Sequence, residues 1–183
     1  ILLGLVGSEM CIRDSINSEG KKVDLSQIDS EIIFEWSNLE CPYVKRHYGS
    51  NNMQTTQKFA KSKNVIWITV ISSAEGKQGY IQPNDAVNTF ASFGSFPDHI
   101  LIDENGDLGK KFNAKTTPHI FIADKNKNIV YQGAIDDAGG SRFWTTDLNQ
   151  STNFVKKVVN DIKSNKPLSV SKTRPYGCSV KYG

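Results

Sequence analysis

The sequence predicts an α/β fold: a central mixed sheet with helices on both faces. Three observations carry that reading. Val65–Ile71 is an almost unbroken apolar run of β-formers, as in a strand covered on both sides. Segments with apolar residues at helical spacing alternate with short strand-like segments, which is the pattern of parallel βαβ units. Late in the chain, His119–Ala123 and Ile129–Tyr131 flank the polar turn 124–128, the signature of an antiparallel hairpin.

The chain has 183 residues, 38% hydrophobic and 22% charged, enough to bury the core of one domain. Its formal charge of +3 is scattered, so no basic stripe points to nucleic acid. No apolar run approaches the roughly 20 residues needed to span a bilayer, so no membrane-embedded segment is expected. Residues 1–15 do not continue the later pattern. A truncated signal peptide is one reading, but no basic residues precede its short apolar run, and Ser8–Ser15 matches translated adapter sequence. Residues 1–15 are therefore read as non-native, with the true N-terminus missing and Cys11 without chemistry. Residues 16–166 are read as the domain, and 167–183 as a C-terminal tail. The compartment, bacterial cytoplasm or periplasm, is not indicated.

The elements follow in order. Turn chemistry at 17–20, with Val23 and Leu25 alternating beyond it, predicts an edge hairpin from Ile16. Ile32–Trp36 reads as a strand, and the polar turn 37–40 leads to Cys41-Pro42. Proline suits the first turn of a helix, so one is expected to open there, run through Tyr48, break at 49–52 and resume to Lys61. After the strand Val65–Ile71, Pro83 opens a helix carrying Ala86, Val87, Phe90 and Phe93, ended by Gly94. Ile100–Ile102 is a strand, 103–106 a turn, and Leu108–Phe112 a short helix. Phe154, Val155, Val158, Val159 and Ile162 mark a last helix from about Ser151 to Ser164.

Cys11, Cys41 and Cys178 lack the paired spacing of zinc sites, and no metal or other cofactor is expected. Cys41 falls where a strand ends and a helix begins, where free N–H groups and the helix dipole favour thiolate, the nucleophilic form. The alternative is a buried, inert thiol. Thr117-Pro118 stands before the strand His119–Ala123, where a proline removes a ladder donor. A cis Thr117–Pro118 bond accounts for it, and a trans proline at a strand start is the alternative. His47, six residues after Cys41, reads as a helix-surface or core residue. His119 either approaches Cys41 or packs in the sheet. Arg46 could place positive charge near the thiolate, while Arg142 and Arg174 cannot be placed from sequence.

A strand-end Cys-Pro helix followed by Thr-Pro, a hairpin and a final helix resembles the thioredoxin-like fold over Ile16 to Lys166. Glu35-Trp36-Ser37-Asn38, followed by Cys41-Pro42-Tyr43-Val44-Lys45-Arg46-His47-Tyr48, resembles the nucleophile segment of the peroxiredoxin-like redoxin proteins. Ser72-Ser73 with the stretch Gly76 to Tyr80, Thr116 to His119, Tyr131 to Asp137 and the tail Arg174 to Tyr182 match as well. The resemblance implies a thiol oxidoreductase with Cys41 as nucleophile acting on a peroxide or a disulfide. Asn38, Pro42, Thr117 and Pro118 would contact the substrate, and an external thiol would act as reductant. Two departures are plain. Asn38 and Val44 occupy the positions three before and three after Cys41, so there is no Cys-x-x-Cys. Phe34 and Asn38 replace the Pro and Thr of typical peroxiredoxins. Cys178, on a tail without helix or strand periodicity, could swing to Cys41 as resolving cysteine if the Cα atoms came within about 4.4 to 6.8 Å; otherwise it packs as an inert residue. A redox-inactive binding module on the same scaffold is the alternative function.

Overall fold

The computed structural model describes residues 15–16, 21–140 and 142–183. The expected architecture is the observed one. Five strands form the main sheet: β3 (Ile32–Trp36), β4 (Ile66–Ile71), β5 (His99–Ile102), β7 (His119–Ala123) and β8 (Ile129–Gly133), in the order β5-β4-β3-β7-β8. The β3, β4 and β5 strands run parallel, while β7 and β8 are antiparallel to their neighbours. The central position of β3 explains why all five of its residues are buried.

Alternation along the strands sorts side chains between two cores. Ile33, Trp67, Ile71, Ile120 and Ile122 face α1 (Pro42–Gly49), α2 (Asn52–Ser62), α3 (Pro83–Ser92) and α5 (Phe154–Lys163). On the opposite face, Ile32, Phe34, Trp36, Ile68, Val70 and Phe121 pack with Leu108 and Phe112 of α4 (Asp107–Phe112). Phe34, Trp36, Phe112 and Phe121 form an aromatic cluster there, with Trp36 and Phe112 centroids 5.0 Å apart and Phe112 edge-on to Phe121 at 5.3 Å. The break between α1 and α2 falls at Ser50 and Asn51, where Asn51 takes φ 60° and turns the chain before α2 restarts.

Two short pairs lie outside the main sheet. In the first, β1 (Ser15–Ile16) pairs antiparallel with β2 (Lys22–Val23), as expected of an edge hairpin; its turn, 17–20, lies outside the described residues, as do residues 1–14 with Cys11. Leu25 is not part of that strand but opens a 3-10 turn, Leu25–Gln27, capped by the Asp24 carboxylate on the Ser26 N–H at 3.0 Å. The second pair corrects the reading of the tail as irregular: β9 (Cys178–Ser179) is an antiparallel partner of β6 (Thr116–Thr117). The tail is tied at further points. Gln132 N–H donates to the Ser171 carbonyl, Thr173 N–H to the Gln132 carbonyl, Val180 N–H to the Lys115 carbonyl and Ala74 N–H to the Lys181 carbonyl, at 3.0 to 3.1 Å. Two residues cannot generate a visible β-period, so this strand had no sequence signal. Among the described residues no helix is long and apolar enough to cross a membrane.

Phe121 is 2% exposed at the centre of the aromatic cluster. Phe121→Ala is expected to cost about 3–5 kcal/mol by lost transfer energy and the cavity left behind. Denaturant unfolding would show this as a lower midpoint at unchanged slope.

Candidate active site

Strand pairing assembles the site. Trp36, the last residue of β3, lies opposite His119, the first of β7, so the chain leaving β3 and the chain entering β7 meet at one edge of the sheet. Cys41 follows the first as the N-cap of α1, with Pro42 at the first helical position. Thr117 and Pro118 precede the second, joined by a cis peptide bond. The Cys41 thiol donates to the Thr117 carbonyl at 3.1 Å. Cys41 has no accessible surface, while Pro42 is exposed.

Cys178 arrives from the tail. Its pairing with Thr117 sets its Sγ 2.7 Å from Cys41 Sγ. Gly177 makes this approach workable: it holds φ +145°, and a Cβ there would collide with the Thr117 carbonyl oxygen. Burial first, and then the Cys41 sulfur beside it, push the Cys178 thiol up to about 12, so it stays protonated near neutral pH.

Asn38 stands at the site in another capacity than the one expected from sequence. Its Oδ1 accepts the Glu40 N–H at 2.9 Å and its Nδ2 donates to the Gln78 carbonyl at 3.1 Å. Gly79 packs so closely on this amide that a side chain there would overlap it. Both polar atoms of the 1% exposed Asn38 are thus engaged within the protein, shaping the loop before Cys41. Beside that loop a groove of about 530 Å³ is lined by Leu39, Glu40, Lys45, Tyr80, Ile81 and Phe93, among others.

The basic residues singled out in the sequence are engaged elsewhere or exposed. Arg46 donates from its two terminal nitrogens to the Trp144 and Thr146 carbonyls at 2.6 Å, and its guanidinium lies 5.1 Å from the Phe143 ring centre. It therefore anchors the loop after Gly140 rather than supplying charge to Cys41. Arg142 and Arg174 are exposed. His119 packs in the sheet, 4.3 Å from the Phe121 ring, with Nδ1 accepting the Lys115 N–H at 3.2 Å; burial pulls its pKa down to about 4. On the helical face, the fully buried Glu35 accepts from Tyr48, Trp67, Thr69 and Gln57 at 3.0 to 3.4 Å, and burial holds its carboxyl above the usual range.

Sequence reasoning missed one constellation. His47 is fully buried and meets Asn52, Asp136 and Tyr176. Three of these four residues lie in the motifs noted above, but only the fold brings positions 47, 136 and 176 together. Among the described residues no group of three His, Cys, Asp or Glu side chains could hold a metal ion.

This arrangement is that of a thioredoxin-like fold. An uncharacterized conserved protein of Geobacillus kaustophilus is similar with a TM-score of 0.78 at 20% identity, over 93% of this chain and 88% of that one. A hypothetical protein of Sinorhizobium meliloti 1021 gives 0.74 at 16% identity, over 96% and 97%. A thioredoxin-like protein of Aeropyrum pernix gives 0.53 at 21%, over 72% and 88%. No curated protein sequence matches the chain. The redoxin family model matches residues 7–144, and the chain belongs to the redoxin family, one of thioredoxin-fold thiol oxidoreductases.

Two measurements test this geometry. Gly177→Ala forces the tail off the Thr117 carbonyl, and hydrogen exchange at residues 178–180 is expected to rise at least tenfold while β3 and β7 stay protected. His119 is neutral when folded but takes up a proton below about pH 6.5 when unfolded. The unfolded state then binds more protons, so stability falls as pH drops from 6.5 toward about 4. His119→Asn is expected to flatten this part of the pH profile in urea unfolding by one proton's worth of slope.

Proposed function

We propose that this protein is a two-cysteine thiol oxidoreductase in which Cys41 is the nucleophile and Cys178 the resolving thiol. The observation that carries the reading is the 2.7 Å separation of the two sulfurs, on elements 137 residues apart in the chain. Such a contact between remote cysteines is what dithiol chemistry requires: a disulfide bond of about 2.0 Å is reached with little motion.

The chemistry runs in two steps. The Cys41 thiolate, at the positive end of α1, attacks one sulfur of a substrate disulfide, expelling the other as a thiolate and forming a mixed disulfide. Cys178 then attacks Cys41 Sγ, the Cys41–Cys178 bond forms, and the substrate leaves as its second thiol with the Cys178 proton. With a peroxide, Cys41 attacks one oxygen, the O–O bond breaks, an alcohol or water leaves, and Cys41 becomes a sulfenic acid. Cys178 then forms the same disulfide with loss of water. An external thiol reductant restores both thiols in either case. The engagement of both Asn38 polar atoms favours the disulfide as substrate, since this amide is already committed to the protein's own backbone. Thr117 and Pro118 present backbone to the substrate, Pro42 lies at the exposed rim, and Asn38 holds the loop.

Peptide mapping under non-reducing conditions, after one equivalent of oxidised glutathione or hydrogen peroxide, is expected to show Cys41 linked to Cys178. Cys178→Ser should instead retain glutathione on Cys41, or accumulate sulfenic Cys41 with peroxide. If wild type and Cys178→Ser give the same products without a crosslink, Cys178 is not a resolving residue. If in addition Cys41 stays unmodified, the scaffold is a binding module.

A further inference from the structure

We propose that Tyr176, held by Asp136 and His47, is a latch that keeps the tail closed over Cys41. The inference rests on the proposed roles of Cys41 and Cys178 and adds what controls access to them. Cys41 has no accessible surface, yet a nucleophile must meet its substrate. Its sulfur meets the Thr117 carbonyl, placed by the sheet, and Cys178, which belongs to the tail. The tail must therefore lift for Cys41 to attack, and return for Cys178 to resolve. Something has to set the balance between these two states.

The cluster at Tyr176 is built to do so. The Tyr176 hydroxyl, two residues before Cys178, donates to Asp136 Oδ1 and lies 3.2 Å from His47 Nε2. Asn52 Nδ2 contacts His47 Nδ1 at 3.0 Å and donates to Asp136 Oδ2 at 2.8 Å. Asp136 Oδ1 also accepts the Ala138 N–H at 3.1 Å. With Asp136 as carboxylate and the Asn52 amide donating to it, one assignment satisfies the donors and acceptors. The phenol has a single hydrogen, which it donates in the bond to Asp136, so its oxygen accepts from His47 Nε2–H. That leaves His47 Nδ1 as an acceptor for one Asn52 hydrogen, while the other goes to Asp136. His47 is thus the neutral Nε2–H tautomer, consistent with the burial that pulls its pKa down to about 3. The two partners of the Tyr176 hydroxyl sit on α1 and in the segment after β8, and Asn52 of α2 ties them to each other. The tail contributes only the tyrosine. Lifting the tail leaves Asp136 without its phenol, a cost that favours closure. The Tyr176 ring also packs 5.3 Å from Phe143 and 6.1 Å from Tyr43, the second residue after Cys41, so the latch adjoins the nucleophile's own turn.

Tyr176→Phe keeps the ring and removes the hydroxyl. In the fully reduced full-length chain, the rate of iodoacetamide labelling at Cys41, resolved by peptide mass spectrometry, is expected to rise about tenfold or more, the weight of one hydrogen bond to a charged acceptor. Asp136→Asn, which leaves a neutral acceptor, should raise it less. Hydrogen exchange should rise over 171–182 but not in β3, β4 or β7. Oxidation to the Cys41–Cys178 disulfide should erase the exchange difference between Tyr176→Phe and wild type, because the covalent link then holds the tail. Cys41 labelling unchanged by Tyr176→Phe, or exchange rising throughout the sheet, would overturn the latch. Failure of the wild type to form the Cys41–Cys178 disulfide would instead overturn the roles of the cysteines, and the labelling comparison would still report on the latch alone.

Discussion

Everything at the site depends on the antiparallel register of β3 and β7. With Trp36 opposite His119, the loop that leaves one strand and the loop that enters the other are bound to the same sheet edge. A slip of one residue would turn Trp36, Phe34 and Ile32 from the aromatic core to the helical face. That cost, spread over five fully buried side chains of β3, is what fixes the distance between Cys41 and the Thr117 carbonyl. The tail then reads the same edge: β9 pairs with Thr116–Thr117, so Cys178 inherits its position from a loop already placed by the core.

The elements with long periods were legible in the sequence. Val65–Ile71 announced a covered strand, the final helix showed its apolar stripe, and the break after Tyr48 was visible in four consecutive turn-forming residues. Cys41 was singled out by its place between a strand and Pro42. Short or three-dimensional features were not legible. A two-residue strand such as β9 has no period, so the tail read as irregular. Arg46 was read as a source of positive charge near the thiolate, but its guanidinium turns to the carbonyls of Trp144 and Thr146. Asn38 was expected at the substrate from the family resemblance, whereas its amide closes a local turn and pins the chain at Gln78. His47 could be read only as surface or core, since the Asp136 and Tyr176 that surround it are 89 and 129 residues away.

The buried polar groups divide between the two faces in a way that fits their tasks. The aromatic side of the sheet is held by rings, with Ser72 joining the Trp36 indole to Asp103 and so to the start of α4. The helical side encloses Glu35 and His47, each held by hydrogen-bond partners. Groups of this kind add less to net stability than apolar packing would, yet they admit few arrangements because each donor needs its acceptor. Their effect is to fix how α1, α2 and the segment around Asp136 sit against one another, which is the frame on which the helix after Cys41 rests.

The closeness of the two sulfurs has a consequence for how a partner could sense the state of the protein. Moving from 2.7 Å to a covalent bond asks for a shift of well under 1 Å between segments that are already docked. The outline of the molecule would scarcely differ between its electron-rich and electron-poor forms. A partner could not tell them apart by shape; discrimination would have to come from how long the tail stays lifted, a property of timing rather than of form.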